Sequence, residues 1–173
     1  MVFGRKPKEE PLPEVVDVIA EEPAVPTGEA SLFSELGMHH LWYLELRLKD
    51  ELVRASRSEG TFSLICWGLR GLPGETIPDE LVKKAAEIIS GRLRSYDLFA
   101  RIDEERFVAI LFDAEPQPAT TAAFRIKGDM QVAMQTTGRW QAGVATFPLD
   151  GTDGDSLIQT AFRRLAEDSR AAA

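Results

Sequence analysis

The sequence predicts an α/β domain of the α+β kind, a mainly antiparallel sheet flanked by helices. Three observations predict it. Apolar residues recur at helical spacing in some segments and run almost unbroken in others. Two of the strand-like runs are separated only by a short polar turn, the pattern of a β-hairpin. Helix and strand segments alternate on both sides of that hairpin, in the order α-β-α-β-β-α-β-α. That order places helices over an antiparallel sheet, close to a ferredoxin-like core.

Each element has its own signal. Leu32, Phe33 and Leu36 form a short amphipathic turn ending at Gly37. Leu41, Leu44, Leu48, Leu52 and Ala55 share one helical stripe, which predicts a helix over about 38–58 that Gly60 stops. Glu45 and Lys49 support it as an i, i+4 pair. Thr61 to Leu69 reads as a buried strand, and Gly71-Leu72-Pro73-Gly74 as a turn. Pro78 opens a helix to about Leu93. Leu98–Ile102 and Arg106–Phe112 make the hairpin around Asp103-Glu104-Glu105. A third helix is expected over about 119–135, a strand over 139–147 and a last helix over about 155–168.

Residues 1–30 differ in character. Pro7, Pro11, Pro13, Pro23 and Pro26 lie among Glu9, Glu10, Glu14, Asp17, Glu21, Glu22 and Glu29. Such a composition buries too little apolar surface to offset ordering, so a disordered acidic tail is expected before a domain over 31–170. Val15-Val16-Asp17-Val18-Ile19 is the apolar exception, a segment suited to adding onto a partner.

Composition narrows the function. The net charge is −8, which disfavours binding to nucleic acid. No apolar stretch nears the roughly 20 residues of a membrane span. Cys66 is the lone cysteine and sits in an apolar run, as a small buried hydrophobe would. A chain without a disulfide suits the cytoplasm. His39 and His40 are adjacent, point about 100° apart on a helix, and read as polar residues at a helix start rather than metal ligands.

Three stretches resemble one family. Arg94-Ser95-Tyr96-Asp97 followed by Arg101-Ile102-Asp103-Glu104-Glu105-Arg106-Phe107 is similar to R-x-x-D, three residues, then R-x-G-G-D-E-F. Gly143-Val144-Ala145-Thr146-Phe147-Pro148-Leu149-Asp150-Gly151 resembles the late strand and turn G-V-A-x-F-P-x-D-G. Gly37-Met38-His39-His40 and Tyr43 to Leu48 resemble the start of the first helix. The family is that of the GGDEF (diguanylate cyclase) domains of bacterial cyclic di-GMP signalling, and the likeness covers about residues 36–168.

The resemblance implies chemistry that needs carboxylates on divalent metal ions and glycines where the chain approaches a nucleotide. At those positions the chain departs from the pattern. Asp103 and Glu104 replace the two glycines, Glu105 keeps the third position acidic, and Arg106 reverses the charge of the fourth. Gly68 stands at the acidic position of the first strand, the loop through Leu72 to Thr76 is short, and Ser169 stands where a helix lysine is usual. The expectation is a catalytically inactive, degenerate member with no catalytic residue, no metal ligand set and no magnesium cofactor. It would act as a regulatory or scaffolding module through protein–protein contacts. The alternative is a cyclic di-GMP receptor in which Arg94 and Asp97 hold the ligand, with Arg92 and Arg101 adding to a basic patch; an active cyclase ranks third. Arg94 also has a structural use near a helix C-terminus. The acidic cluster at 103–105 is either a solvated turn or a weak metal site.

The first helix offers an interaction face. Trp42, Leu46 and Val53 form a second apolar stripe, away from the core stripe. Either residues 31–36 cover it or a protein partner or a second copy does. Trp67 and Trp140 lie in strand runs and belong to the core.

Overall fold

A computed structural model describes residues 32–70, 77–135 and 138–171. The eight elements follow the expected order: α1 (Leu41–Ser58), β1 (Phe62–Arg70), α2 (Asp79–Ser90), β2 (Leu98–Arg101), β3 (Arg106–Phe112), α3 (Pro116–Met134), β4 (Arg139–Phe147) and α4 (Gly154–Ala171). The strands form one sheet in the order β2-β3-β1-β4, with every neighbouring pair antiparallel. This is the βαββαβ arrangement of a ferredoxin-like core, with α1 and α4 on the opposite face.

Strand alternation divides the core in two. Ile65, Trp67 and Leu69 of β1 pack with α2 and α3, through Val82, Ile89, Ile126 and Met130. Phe62, Leu64 and Cys66 pack with α1 and α4, through Leu44, Leu48, Leu157 and Ala161. β1 is buried on both faces, which is why its sequence reads as one apolar run. The Trp67 indole also donates to the Ala123 carbonyl at 3.0 Å and ties α3 to the sheet.

Both sheet edges are covered, as soluble sheets require. Along β4, Gln131 Oε1 accepts from the Trp140 N–H at 2.9 Å and Asp168 Oδ2 from the Ala142 N–H at 3.0 Å. Arg164 Nη1 donates to the Val144 carbonyl at 2.7 Å, and Asp150 Oδ2 accepts from the Thr146 N–H at 2.9 Å. Every second residue of that edge is thus occupied by a side chain. At the β2 edge, His39 donates its backbone N–H to the Phe99 carbonyl at 3.0 Å and bridges to Ala100.

Several expectations shift. The turn ending at Gly37 (φ +74°) is present, and it joins two bridged residues, Phe33 and His39, in a small extended hairpin. α1 therefore starts at Leu41 and not at residue 38, because residues 38–40 are spent on the sheet edge. Its buried face is Leu44, Leu48, Glu51 and Ala55, while Leu41 and Leu52 are only half-buried. Burial of Glu51 is compensated by Arg54, whose Nε donates to it at 2.8 Å. α3 begins at Pro116, since proline is tolerated in a first helical turn. The expected disordered tail over 1–30 and the turn at 71–74 lie outside the described residues.

Two outcomes follow. A Cβ on Gly143 would stand 2.0 Å from the Ala161 carbonyl oxygen, where α4 crosses β4. Gly143→Ala should lower unfolding stability by about 1–3 kcal/mol or more in urea titration, whereas Gly128→Ala, in open space within α3, should raise it by about 0.4–1 kcal/mol. Burial opposes ionisation of Asp150, but the Arg164 fork and the Thr146 N–H outweigh it and hold its carboxyl below the usual range. Its stabilising effect is therefore present above the unfolded carboxylate pKa and lost as pH falls through the lower folded value. Asp150→Asn should cost about 1–3 kcal/mol at pH 7, and the gap to the unmodified chain should close below about pH 4.

Candidate functional site

The hairpin turn is built by arginines. Arg101 Nε donates to the Asp103 carbonyl at 2.9 Å and Nη2 to the Glu104 carbonyl at 2.7 Å. Asp103 Oδ1 accepts the Glu105 N–H at 2.9 Å, and the Ile102 N–H meets the Arg106 carbonyl at 2.9 Å. Asp and Arg here do what a tight glycine turn does elsewhere: they satisfy a bent backbone, in this case with side chains. Arg101 is thereby engaged at the turn and does not join Arg94.

Arg106 is the centre of the site. Its Nε and Nη2 reach Asp103 Oδ2 at 2.6 and 2.5 Å. Its guanidinium lies 4.2 Å from the centroid of the Phe162 ring on α4. Such a cation over an aromatic face is attracted by the ring quadrupole. In the sheet register Arg106 pairs with Gly68, and Gly68 pairs with Gln141. The three form one row across β3, β1 and β4. The missing Gly68 side chain leaves a notch in it, with Arg106 Cγ at 3.5 Å and Leu165 methyls at 3.6 Å from where a Cβ would stand.

The notch opens into a cleft of about 490 Å³, bordered by Arg70, Glu104, Glu105, Arg106 and Gln141 beneath Phe162 and Leu165. Glu104 and Glu105 are exposed at its rim. Gln141 is 2% exposed, and its Oε1 has no hydrogen-bond partner among the described residues. Among the described residues no group of three or more His, Cys, Asp or Glu side chains converges. Phe107 takes no part: it is buried in the α2/α3 half of the core, tilted on Trp140 at 6.0 Å.

The other predicted residues lie apart. Asp97 is 7% exposed and anchors the backbone, accepting the Arg94 N–H at 3.0 Å and the Phe112 N–H at 3.3 Å. Burial pushes its carboxyl up, against those two bonds and the Arg94 charge. Arg94 donates to Tyr96 Oη at 2.9 Å and faces a second cleft of about 420 Å³ that Arg92 and Arg125 also line. Trp42 and Leu46 are half-buried on α1 and Val53 is 52% exposed. Leu36 packs in the opposite half of the core, so it does not cover that stripe. Cys66 is fully buried, and burial pushes its thiol up to about 12.

Sequence reasoning missed Phe162, Gln141 and Arg125. Phe162 reads as a core residue by spacing, and nothing local links it to Arg106. Gln141 had a signal, a lone amide in an apolar strand.

The domain is thus an antiparallel α/β sandwich with a cleft between a strand hairpin and its last helix. The profile of the family "Diguanylate cyclase, GGDEF domain" matches residues 42–172, and the chain belongs to that family. Among solved structures it is similar to the FimX GGDEF domain of Pseudomonas aeruginosa, with 16% identity, TM-score 0.71 and coverage of 82% of this chain and 96% of that one. It is similar also to the GGDEF domain of DgcB from Caulobacter crescentus, solved in complex with c-di-GMP, at 14% identity, TM-score 0.70 and coverage of 84% and 94%. SiaD of P. aeruginosa, solved with its activator SiaC, shares 22% identity at TM-score 0.69, over 83% of this chain and 60% of that one. At these identities the likeness is one of fold. The comparison with curated proteins returns no match.

Asp97→Ala leaves two backbone donors unsatisfied and should cost about 1–3 kcal/mol in chemical denaturation. Arg94→Ala, at an exposed side chain, should stay within about 0.5 kcal/mol of the unmodified chain.

Proposed function

We propose that this GGDEF domain is a catalytically inactive regulatory or scaffolding module that works through protein contacts. One observation carries the reading: the Arg106 guanidinium stands in the cleft opposite Gly68, already paired with Asp103. A divalent cation needs hard oxygen donors gathered around it. Gly68 offers none, Asp103 is neutralised, and Arg106 sets a fixed positive charge beside the place such donors would occupy. The residues do not fit a magnesium ion, and no chemical step is assigned to this cleft. The contact face is Trp42, Leu46 and Val53 on α1, open to a protein partner or a second copy. No described helix is long and apolar enough to cross a membrane, in keeping with a cytoplasmic module.

A second reading has its own support. Arg94 and Arg125 make no ion pair among the described residues, and with Arg92 they line a cleft of about 420 Å³. Guanidinium groups recognise phosphates and guanine edges by forked hydrogen bonds. A cyclic di-GMP receptor would use that cleft through Arg94, while Asp97 is committed to two backbone amides and serves the turn first.

Manganese titration followed by electron paramagnetic resonance tests the leading reading. The unmodified chain should leave micromolar Mn²⁺ free, and Gly68→Asp combined with Arg106→Glu should gain binding. Tight Mn²⁺ binding by the unmodified chain, lost in Glu105→Gln, overturns it. Calorimetry with cyclic di-GMP on the unmodified chain and Arg94→Ala decides the second: heat abolished by the substitution supports a receptor, and no heat removes it.

A further inference from the structure

The outward face of α1 lies opposite its buried stripe Leu44, Leu48, Glu51 and Ala55. At about 100° per residue, Trp42, Leu46, Lys49, Asp50, Val53 and Arg57 fall on that face within one arc of roughly 100°. Trp42, Leu46 and Val53 belong to neither half of the core, whereas their chain neighbours Tyr43 and Leu52 pack against it. Leu46 and Val53 are seven residues apart and nearly share an azimuth, drifting by about 20°. Lys49 lies to one side of the line joining them and Asp50 to the other, by roughly 50° each. Lys49, Asp50 and Arg57 make no ion pair among the described residues, although the Lys49 charge is felt by Glu45 one turn back.

We infer that this face pairs with the same face of a second copy, the two α1 helices running parallel about a twofold axis. Parallel pairing sets each seam position beside its own twin, so Leu46 meets Leu46 and Val53 meets Val53. The twofold carries the Lys49 flank of one copy to the Asp50 flank of the other, so the Lys49–Asp50 match is made twice. An antiparallel pair would instead set Lys49 against Lys49 and Asp50 against Asp50. Trp42 closes one end of the seam. The one like-charge approach, Arg57 to its twin, lies at the exposed end of the helix, where water and salt screen it. The occupant follows from this self-complementarity: a uniformly acidic or basic partner would match only one of the two central charges. Each copy carries a net charge of −8, but repulsion between the bodies is screened beyond about 8 Å at physiological salt. The inference rests on the contact face proposed above and names its partner.

Sedimentation of the full chain at physiological salt tests this. A single helix face is a small interface, so weak association that grows with concentration is expected. The unmodified chain should move from one copy toward two, and Lys49→Asp or Asp50→Lys should each weaken the pairing by roughly tenfold. An equimolar mixture of those two variants should pair again, since the two acids of one then face the two lysines of the other; a misfolded variant would not recover. Val53→Cys under mild oxidation should give a disulfide-linked dimer, because parallel pairing brings the twin thiols together and Cys66 is buried. Val132→Cys, 76% exposed on α3, should not. A monomer at every concentration, pairing untouched by either charge reversal, or no recovery on mixing overturns the inference. A Val53→Cys chain that links no better than Val132→Cys overturns it equally. The inference and the reading beneath it fail apart: a monomer that leaves Mn²⁺ free removes the second copy and keeps the inactive module, whereas tight Mn²⁺ binding removes the inactive module whatever the measured mass.

Discussion

The guanidinium of Arg106 sets the charge at the mouth of the hairpin cleft. It is held from three sides: by the Asp103 carboxylate, by the Phe162 ring and by its place in the sheet register opposite Gly68. None of these contacts is strong alone in a half-exposed setting. Together they fix one rotamer of a long side chain at the mouth of the cleft. A charge-assisted bond at 2.6 Å that also lies over an aromatic face is not easily displaced by an incoming cation, since both the Asp103 pair and the ring contact would be given up. The turn is consistent with the same logic. Arg101 satisfies the carbonyls of residues 103 and 104, so the hairpin is stiffened by side chains where the family pattern uses glycines.

The rest of the fold serves to hold that row of residues in place. β1 lies between β3 and β4 and carries Gly68 between Arg106 and Gln141. α4 reaches the row because Gly143 lets its backbone approach β4 closely. The same helix sends Arg164 and Asp168 to the β4 edge, so one element both roofs the cleft and blocks the sheet from adding a strand. The opposite edge is closed by His39. Neither edge is thereby left open along its length to pairing with a further strand.

Much of this was legible in the residues. The continuous run at 61–69 read as a buried strand, residues 139–147 as a further strand and the polar break at 103–105 as a hairpin turn, and the structure has all three. The charge reversal at Arg106 was visible because the spacing from Arg94 and Asp97 has no gap, and the loss of a carboxylate at Gly68 was read from its place in the first strand. What stayed hidden was long-range. Nothing in the local pattern says that residue 106 pairs with residue 68, or that Phe162, far along the chain, lies under the guanidinium. Helix starts were misjudged where a tertiary contact overrode propensity: residues 38–40 were taken by the sheet edge before α1 could begin. Glu51 broke the apolar stripe for a similar reason, since Arg54 makes its burial tolerable. Asp97 looked like a ligand group by motif, yet its carboxylate faces two backbone amides.

On the proposed reading, a fixed cation stands where a metal-binding cluster would and leaves the domain without turnover. Prolonged incubation of the concentrated chain with GTP and either Mg²⁺ or Mn²⁺, with nucleotides resolved by chromatography, tests it most directly. The account predicts that GTP is recovered unchanged. Accumulation of cyclic di-GMP at a rate that falls in Glu105→Gln would contradict it.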